Sequence, residues 1–247
     1  LGMTKKKAIG VIPARYDSSR LPGKPLILIN GKPLIQRVYE KALKSKLLDE
    51  VLVATDSPKV KDIMENLGGE VRLTLKNHRT GTDRVAEAVK NIPCDIILNI
   101  QCDEPFLNPG MVDDLIRLMK KEKDLKMATL AFKIKEPELI YDPNIVKVVL
   151  DQNDFALYFS RMPIPFHRMD VRPSKNSYYY EHIGIYAFRK GFLMKFAQLP
   201  QSPLEIQEKL EQLRALENGY RIKVLISKYN SRAINSYSDL KRMKVRG

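Results

Sequence analysis

Between Ala14 and Leu26 the chain sets Arg15, Arg20 and Lys24 on a stretch that also holds Pro22, Gly23 and Pro25. Three fixed positive charges with exposed amides and a glycine suit a polyphosphate, which takes charge-assisted hydrogen bonds from guanidinium and ammonium groups. The spacing is neither Gly-x4-Gly-Lys-Ser/Thr nor Gly-x-Gly-x-x-Gly, so a P-loop and the dinucleotide fold of the second motif are not signalled. A second group lies in Asn99-Ile-Gln-Cys-Asp-Glu-Pro105. There Asp103 is the candidate ligand for Mg²⁺, a hard cation held by one or two carboxylates together with substrate phosphates. The same residues also read as a simple Asp-Glu-Pro turn. Thr80-Gly-Thr-Asp-Arg84 puts hydroxyls and free amides at a helix start, which favours an anion or a base edge. Capping by Thr80 or Thr82 is compatible with that reading. In His182-Ile-Gly-Ile-Tyr186 the alternation places His182, Gly184 and Tyr186 on one strand face. Glu208 with Glu211 or Gln212 shares a helix face by spacing. His78 and His167 lack partners at zinc-site spacing.

A basic loop alone reads equally well as a solvated turn; its surroundings decide between the two. The apolar run Ala8–Ala14 predicts a buried strand, and ligands of open α/β sheets sit beyond the carboxyl ends of such strands. After the loop come a β-turn at Asn30-Gly31 and a helix from near Pro33 whose Leu34, Ile35, Val38, Ala42 and Leu43 recur at helical spacing. Further strands are expected at Glu50–Thr55, Val71–Leu75 and Asp95–Ile100, with helices near 33–47, 57–67, 82–91 and 110–123. That alternation predicts a parallel sheet covered on both faces. Asp56 and Asp103 fall at strand ends. After about residue 125 the pattern turns to strands: Met127–Ile134, Ile145–Asp151, His182–Phe188 and Arg221–Ser227. They are joined by an amphipathic helix, Leu204–Glu217, and a last helix near 236–244. The segment 163–180, with Pro163, Pro165, Pro173 and three consecutive tyrosines, reads as an exposed loop or interface arm.

Lys and Arg number 43 against 29 Asp and Glu in 247 residues, a formal net charge of +14, which calls for an anionic partner. The bases are spread along the chain and not gathered with exposed aromatics in one module, so a small anionic substrate is favoured over nucleic acid. No apolar stretch reaches the roughly 18 residues of a membrane span, and no secretory leader is legible. Cys94 and Cys102 are too few for a disulfide scaffold, and a reduced, cytoplasmic setting is the simplest reading.

Taken in order, eight segments match one family. They are Ile12–Leu26, Ala54-Thr-Asp56, Thr80–Arg84, Gln101-Cys-Asp-Glu-Pro105, Val146-Lys-Val-Val149, Tyr158-Phe-Ser-Arg-Met-Pro-Ile-Pro165, His182–Tyr186 and Leu210-Glu-Gln-Leu-Arg214. The chain resembles the 3-deoxy-manno-octulosonate (KDO) cytidylyltransferases over nearly its full length. The resemblance implies transfer of CMP from CTP to KDO with release of pyrophosphate, for lipopolysaccharide biosynthesis, with Mg²⁺ as cofactor. It also implies a Rossmann-like nucleotidyltransferase fold of class α/β, with a mostly parallel central sheet. The single domain would cover 3–247, a nucleotide half (3–125) and a β-rich half (126–247) that closes over the site and forms a homodimer contact. By the same resemblance Arg15, Arg20 and Lys24 grip the triphosphate, Thr80 and Gly81 lie near the cytosine, and Gln101 stands between nucleotide and sugar. Arg15, Lys24 and Asp103 form the catalytic set. Arg84, Arg161, His182, Tyr186, Glu211 and Gln212 line the sugar pocket, the arginines meeting the sugar carboxylate. Two positions depart from the family pattern. Cys102 replaces a glycine before Asp103, where a side chain would crowd the ligand, and Asn235 stands where a second metal-binding Asp is expected. Two other readings stay open: a cytidylyltransferase for another 2-keto sugar acid, and a non-catalytic nucleotide-binding homologue.

Overall fold

The computed structural model describes residues 7–17, 21–168, 179–231 and 234. Its central strand, β1 (Ala8–Ala14), is buried along its whole length because it has neighbours on both edges and helices on both faces. In chain order there follow β2 (Leu28–Ile29), β3 (Lys32–Pro33), α1 (Leu34–Ala42), β4 (Glu50–Thr55), α2 (Pro58–Asn66), β5 (Glu70–Leu73), α3 (Gly81–Val89) and β6 (Ile96–Asn99). The remainder comprises α4 (Pro109–Lys121), β7 (Met127–Lys133), β8 (Lys147–Leu150), β9 (Ala156–Ser160), β10 (Tyr180–Arg189), α5 (Lys190–Gln198), α6 (Pro203–Glu208), α7 (Leu213–Glu217) and β11 (Lys223–Ile226).

The main sheet runs β11-β7-β10-β6-β1-β4-β5, and β8 and β9 continue it from the flank of β10. β1 pairs in parallel with β4 and β6, β4 with β5, and β7 with β11. Along that seven-strand path only β10 runs against its neighbours, β6 and β7, and the β8–β9 extension is antiparallel to it and within itself; the expected mostly parallel central sheet is present. Side-chain alternation sorts the core. Ala8, Ile12 and Ala14 face one way, toward Ile35 and Val38 of α1, Val60 of α2 and Leu115 of α4. Ile9 and Val11 face the other way, toward Val85 of α3, Phe192 and Phe196 of α5 and Leu213 of α7. Each such fully buried aliphatic side chain contributes about 1.5–3 kcal/mol.

Local signals fix several boundaries. Asn30 and Gly31, both at positive φ (46° and 76°), make the expected turn as the tip of the β2–β3 hairpin. α2 and α4 each begin with a proline, behind Ser57 and Asn108, whose side chains accept from Val60 N and Gly110 N.

Other elements correct the sequence reading. The single helix expected over Leu204–Glu217 is two short ones, α6 and α7, because Lys209 turns left-handed at φ 56°. Glu211 and Gln212 therefore sit in the connection and not on a helix face with Glu208. β9 and α5 were not expected. Leu43, placed on the apolar stripe of α1, lies past its end and is exposed. Tyr179 and Tyr180 leave the expected loop: Tyr179 is buried with its hydroxyl on Pro165 O (2.8 Å), and Tyr180 opens β10. The final helix near 236–244, and the central part of the expected arm, lie outside the described residues.

Candidate active site

Beyond the carboxyl ends of β1 and β6 opens a cavity of about 830 Å³. One wall carries Arg15, Lys24, Thr80, Gly81, Gln101 and Asp103, and the other Arg161, His182, Tyr186, Glu211 and Gln212, with Arg84 also lining the cavity. Every site residue expected from the sequence that is described thus lines one space. Arg20 and Asn235 lie outside the described residues.

Lys24 follows Gly23, whose φ of 66° suits glycine, and opens a tight 3₁₀ turn. Its Nζ donates to Asp103 Oδ2 at 2.7 Å. Asp103 sits on a turn closed by Glu104 N to Gln101 O (3.2 Å), as the turn reading of these residues expects. From the far end of the chain, Ile234 N donates to Asp103 O at 2.8 Å. Beside it, burial and the Asp103 charge push the Glu104 carboxyl up to about 7, against the hydroxyl of Ser231 that donates to it. Burial pushes the Cys102 thiol up to about 12, so it stays neutral. Cys102 is 8% exposed: it joins the apolar core beneath the turn and also borders the cavity, where the crowding expected of its side chain would act.

Thr80 caps α3, its Oγ1 accepting from Asp83 N at 3.2 Å. Gly81 lies so near β1 that a Cβ there would stand 3.3 Å from Pro13 Cγ and 3.6 Å from Gln101 Oε1. From Gln101 a chain of polar contacts crosses the floor. Gln101 Nε2 donates to Asn99 Oδ1 (3.4 Å), Asn99 Nδ2 to Thr82 Oγ1 (2.9 Å), and Thr82 Oγ1 to Glu211. Burial raises the Glu211 carboxyl above its ordinary value, while the hydroxyls of Thr82 and Thr80 pull it back. The Tyr186 phenol is held well above its ordinary value by burial and then by Glu211, so it keeps its proton. Gln212 Nε2, buried at the cavity wall, has no hydrogen-bond partner among the described residues. A ligand acceptor on that wall would satisfy it.

His182 and Tyr186 do share a face, their ring centroids 5.3 Å apart, although β10 bulges between Ile183 and Tyr186. Thr129 Oγ1 pins that bulge, lying 2.8 Å from Ile185 O, 3.2 Å from Ile183 O and 3.0 Å from His182 Nε2. Burial pushes the His182 pKa down to about 3. The native state then binds fewer protons than the unfolded chain below the ordinary histidine pKa. Stability is therefore complete above about pH 6.5 and falls as pH drops toward 3, by up to about 1.4 kcal/mol per unit. Urea melts at pH 7 and pH 5 should show this loss in the parent and a smaller one in His182→Gln. An equal loss in both would remove His182 as its source.

The two arginines are already engaged. Arg84 is buried, with Nη2 donating to Asp56 Oδ2 (3.2 Å) and Nη1 to Leu75 O (3.2 Å) and Thr74 Oγ1. Arg161 donates to Glu208 O (2.8 Å), Pro143 O (2.9 Å) and Lys209 O (3.4 Å). Asp142, Asn144 and Glu181 also line the cavity, though the sequence reading named none of them. Asp142 and Asn144 are polar residues of a connecting turn and Glu181 is a single carboxylate near the start of β10, and none of them carries a spacing signal. Among the described residues no group of three or more His, Cys, Asp or Glu side chains is arranged to hold a metal unaided. No described helix is long and apolar enough to cross a membrane.

A cation-bearing loop and an acidic turn at the carboxyl edge of a mostly parallel sheet, facing a second polar wall, suit an anionic ligand such as a nucleotide. Comparison with known proteins agrees. The family described as Cytidylyltransferase matches residues 9–223. A 3-deoxy-manno-octulosonate cytidylyltransferase of Thermodesulfovibrio yellowstonii is 49% identical over 242 residues, 94% of each chain. One of Chloroherpeton thalassium is 48% identical over 242 residues, 97% of each chain. A solved CMP:2-keto-3-deoxy-manno-octonic acid synthetase complexed with CTP matches with a TM-score of 0.90 at 40% identity, over 98% of both chains. The chain belongs to the cytidylyltransferase family, among the 3-deoxy-manno-octulosonate cytidylyltransferases.

Proposed function

We propose that the protein transfers CMP from CTP to KDO, giving CMP-KDO and pyrophosphate, in the cytoplasm and for lipopolysaccharide assembly. One observation carries this reading: the expected ligand-binding residues that are described all converge on a single cavity in a chain so similar to KDO cytidylyltransferases. In the reaction the anomeric oxygen of KDO bonds to the α-phosphorus, and the bond to pyrophosphate breaks. The hydroxyl proton leaves to solvent. Both reactants are anions, so the site's main task is to cancel repulsion and align them. Arg15 and Lys24, with Arg20, receive the triphosphate, and Lys24 moves from Asp103 onto it. Thr80 and Gly81 approach the base, while His182, Tyr186, Glu211 and Gln212 orient the sugar hydroxyls. Arg161, and Arg84 from the edge, supply positive charge toward the sugar carboxylate.

Mg²⁺ fits the residues present. Asp103 already holds a cation, the Lys24 ammonium, and a lone carboxylate supplemented by phosphate oxygens is an ordinary Mg²⁺ donor set. Bound there, the ion would offset charge on the phosphates and the leaving pyrophosphate. Ile234, the residue before Asn235, donates its N–H to the main-chain carbonyl of Asp103. Asn235→Asp should therefore lower the Mg²⁺ concentration giving half-maximal rate, by about threefold or more if the added charge acts at the metal. An unchanged or raised requirement would place residue 235 away from it.

A coupled pyrophosphate assay with CTP or UTP and a panel of acidic sugars tests the whole reading. Turnover with CTP and KDO supports it. Preference for another 2-keto sugar acid moves the substrate, and tight CTP binding without turnover leaves only a binding protein. The homodimer belongs to the same reading, supported by the exposed apolar side chains of Leu157, Met162 and Phe166 in the second half. Light-scattering mass in solution tests it.

A further inference from the structure

Lys147 opens β8 with no accessible surface at all, 0%. An ammonium group has three N–H donors, and here each meets a main-chain carbonyl: Asp142 O at 2.9 Å, Ile145 O at 2.5 Å and Arg161 O at 2.5 Å. The acceptors belong to two separate segments. Asp142 and Ile145 bracket the turn before β8, and Arg161 directly follows β9. Both segments line the cavity on its sugar side, through Asp142, Asn144, Ile145 and Arg161.

Arg161 closes the same loop from the other direction. Its Nη1 donates to Pro143 O, inside the turn that Lys147 holds, and its Nε reaches Glu208 O at the end of α6. Two cations thus cross-link one turn, and the carbonyl of one is an acceptor for the other. Burial lowers the Lys147 pKa, with Asp142, Glu208 and Glu181 opposing that fall and Arg161 adding to it. An apolar side chain of similar length would fill this space without desolvating a charge. It would not supply three directed bonds between the two segments.

We infer that Lys147 is a positioning residue for the acceptor sugar: its three-carbonyl clasp fixes the 142–145 turn and Arg161 so that this wall is preformed when the sugar acid arrives. The inference rests on the proposed function, which places the acceptor on this side of the cavity. Lys147 itself touches neither nucleotide nor sugar. Misplacing a binding group by a fraction of an ångström is enough to lose most of its directed bonds.

The test is steady-state kinetics on Lys147→Met and Lys147→Gln, each made in the parent and in an Arg161→Ala background, with CTP affinity followed by calorimetry. In the parent, Lys147→Met should raise KM for KDO on the order of tenfold, with KM and Kd for CTP within about twofold. Lys147→Gln, keeping two N–H donors, should fall between. In the Arg161→Ala background the Lys147 effect should shrink to about twofold or less, because the group it acts through is gone. Equal rises in both KM values, the same effect in both backgrounds, or loss of CTP binding would make Lys147 a general stability element and overturn the inference. A parent protein that turns over no sugar acid sinks the functional reading instead, before any variants are compared.

Discussion

Asp103→Asn should cut pyrophosphate release by about a thousandfold, the scale of losing a major electrostatic contact to the reacting charge. Asparagine keeps the shape of the side chain, so the turn through Gln101 and Glu104 and the Ile234–Asp103 main-chain bond persist. What disappears is the negative charge that pairs with Lys24 at 2.7 Å and that would hold Mg²⁺. The effects on nucleotide binding should then separate. Without Mg²⁺, CTP should bind the variant at least as tightly as the parent, because Lys24 no longer has to leave a carboxylate to reach the phosphates. Lys24→Ala should do the reverse, raising KM for CTP more than it lowers kcat. Calorimetry with and without Mg²⁺, beside the coupled assay, reads both. If Asp103→Asn keeps a tenth of the parental rate, the assignment of this carboxylate to the metal is wrong.

Arg214→Met should destabilise the protein by about 3–5 kcal/mol, the usual consequence of removing one partner from a buried ion pair. The guanidinium is 0% exposed, forks onto Glu205 through 2.8 and 2.6 Å bonds, reaches Asp83 at 3.5 Å and stacks 4.8 Å from the Phe196 ring centroid. Methionine replaces the packing but leaves the Glu205 carboxylate buried without the guanidinium that paired it, while Asp83 keeps Arg79 at 3.1 Å. Asp83 is also joined to α3 next to Thr80 and Thr82, and Arg214 N bonds Glu211 O, so the loss spreads to both walls of the cavity. Urea unfolding gives the number. Glu205→Gln together with Arg214→Met should recover part of the loss, since the orphaned charge is then removed too. No recovery in the double variant would mean that packing, not charge, dominates at this position.

The residues that meet in the cavity were easier to pick out of the sequence than some of the architecture around them. Arg15, Gln101 and Asp103 stand just past the ends of β1 and β6, Lys24 is marked by its Pro-Gly-Lys-Pro turn, and strands with strong apolar character such as Ala8–Ala14 and Glu50–Thr55 are legible to the residue. The break at Lys209 was not legible. A left-handed lysine has no glycine or proline to announce it, and it moves Glu211 and Gln212 off a helix and into the pocket wall. α5 was missed for a related reason: it follows β10 without a capping side chain or intervening turn. The engagement of Arg84 with Asp56 and of Arg161 with carbonyls depends on contacts between distant segments, which spacing along the chain does not encode.

The one reversed strand of the seven-strand path has a consequence for how the two halves are joined. β10 is wedged between β6 and β7, paired along Tyr186–Arg189 on one side and nearly its whole length on the other. A clamshell motion splitting early from late residues would have to unzip this seam, with its ring stack of Tyr186, Phe188 and Phe192. The early and late strands of the sheet are therefore joined along β10 into one continuous platform beneath the cavity.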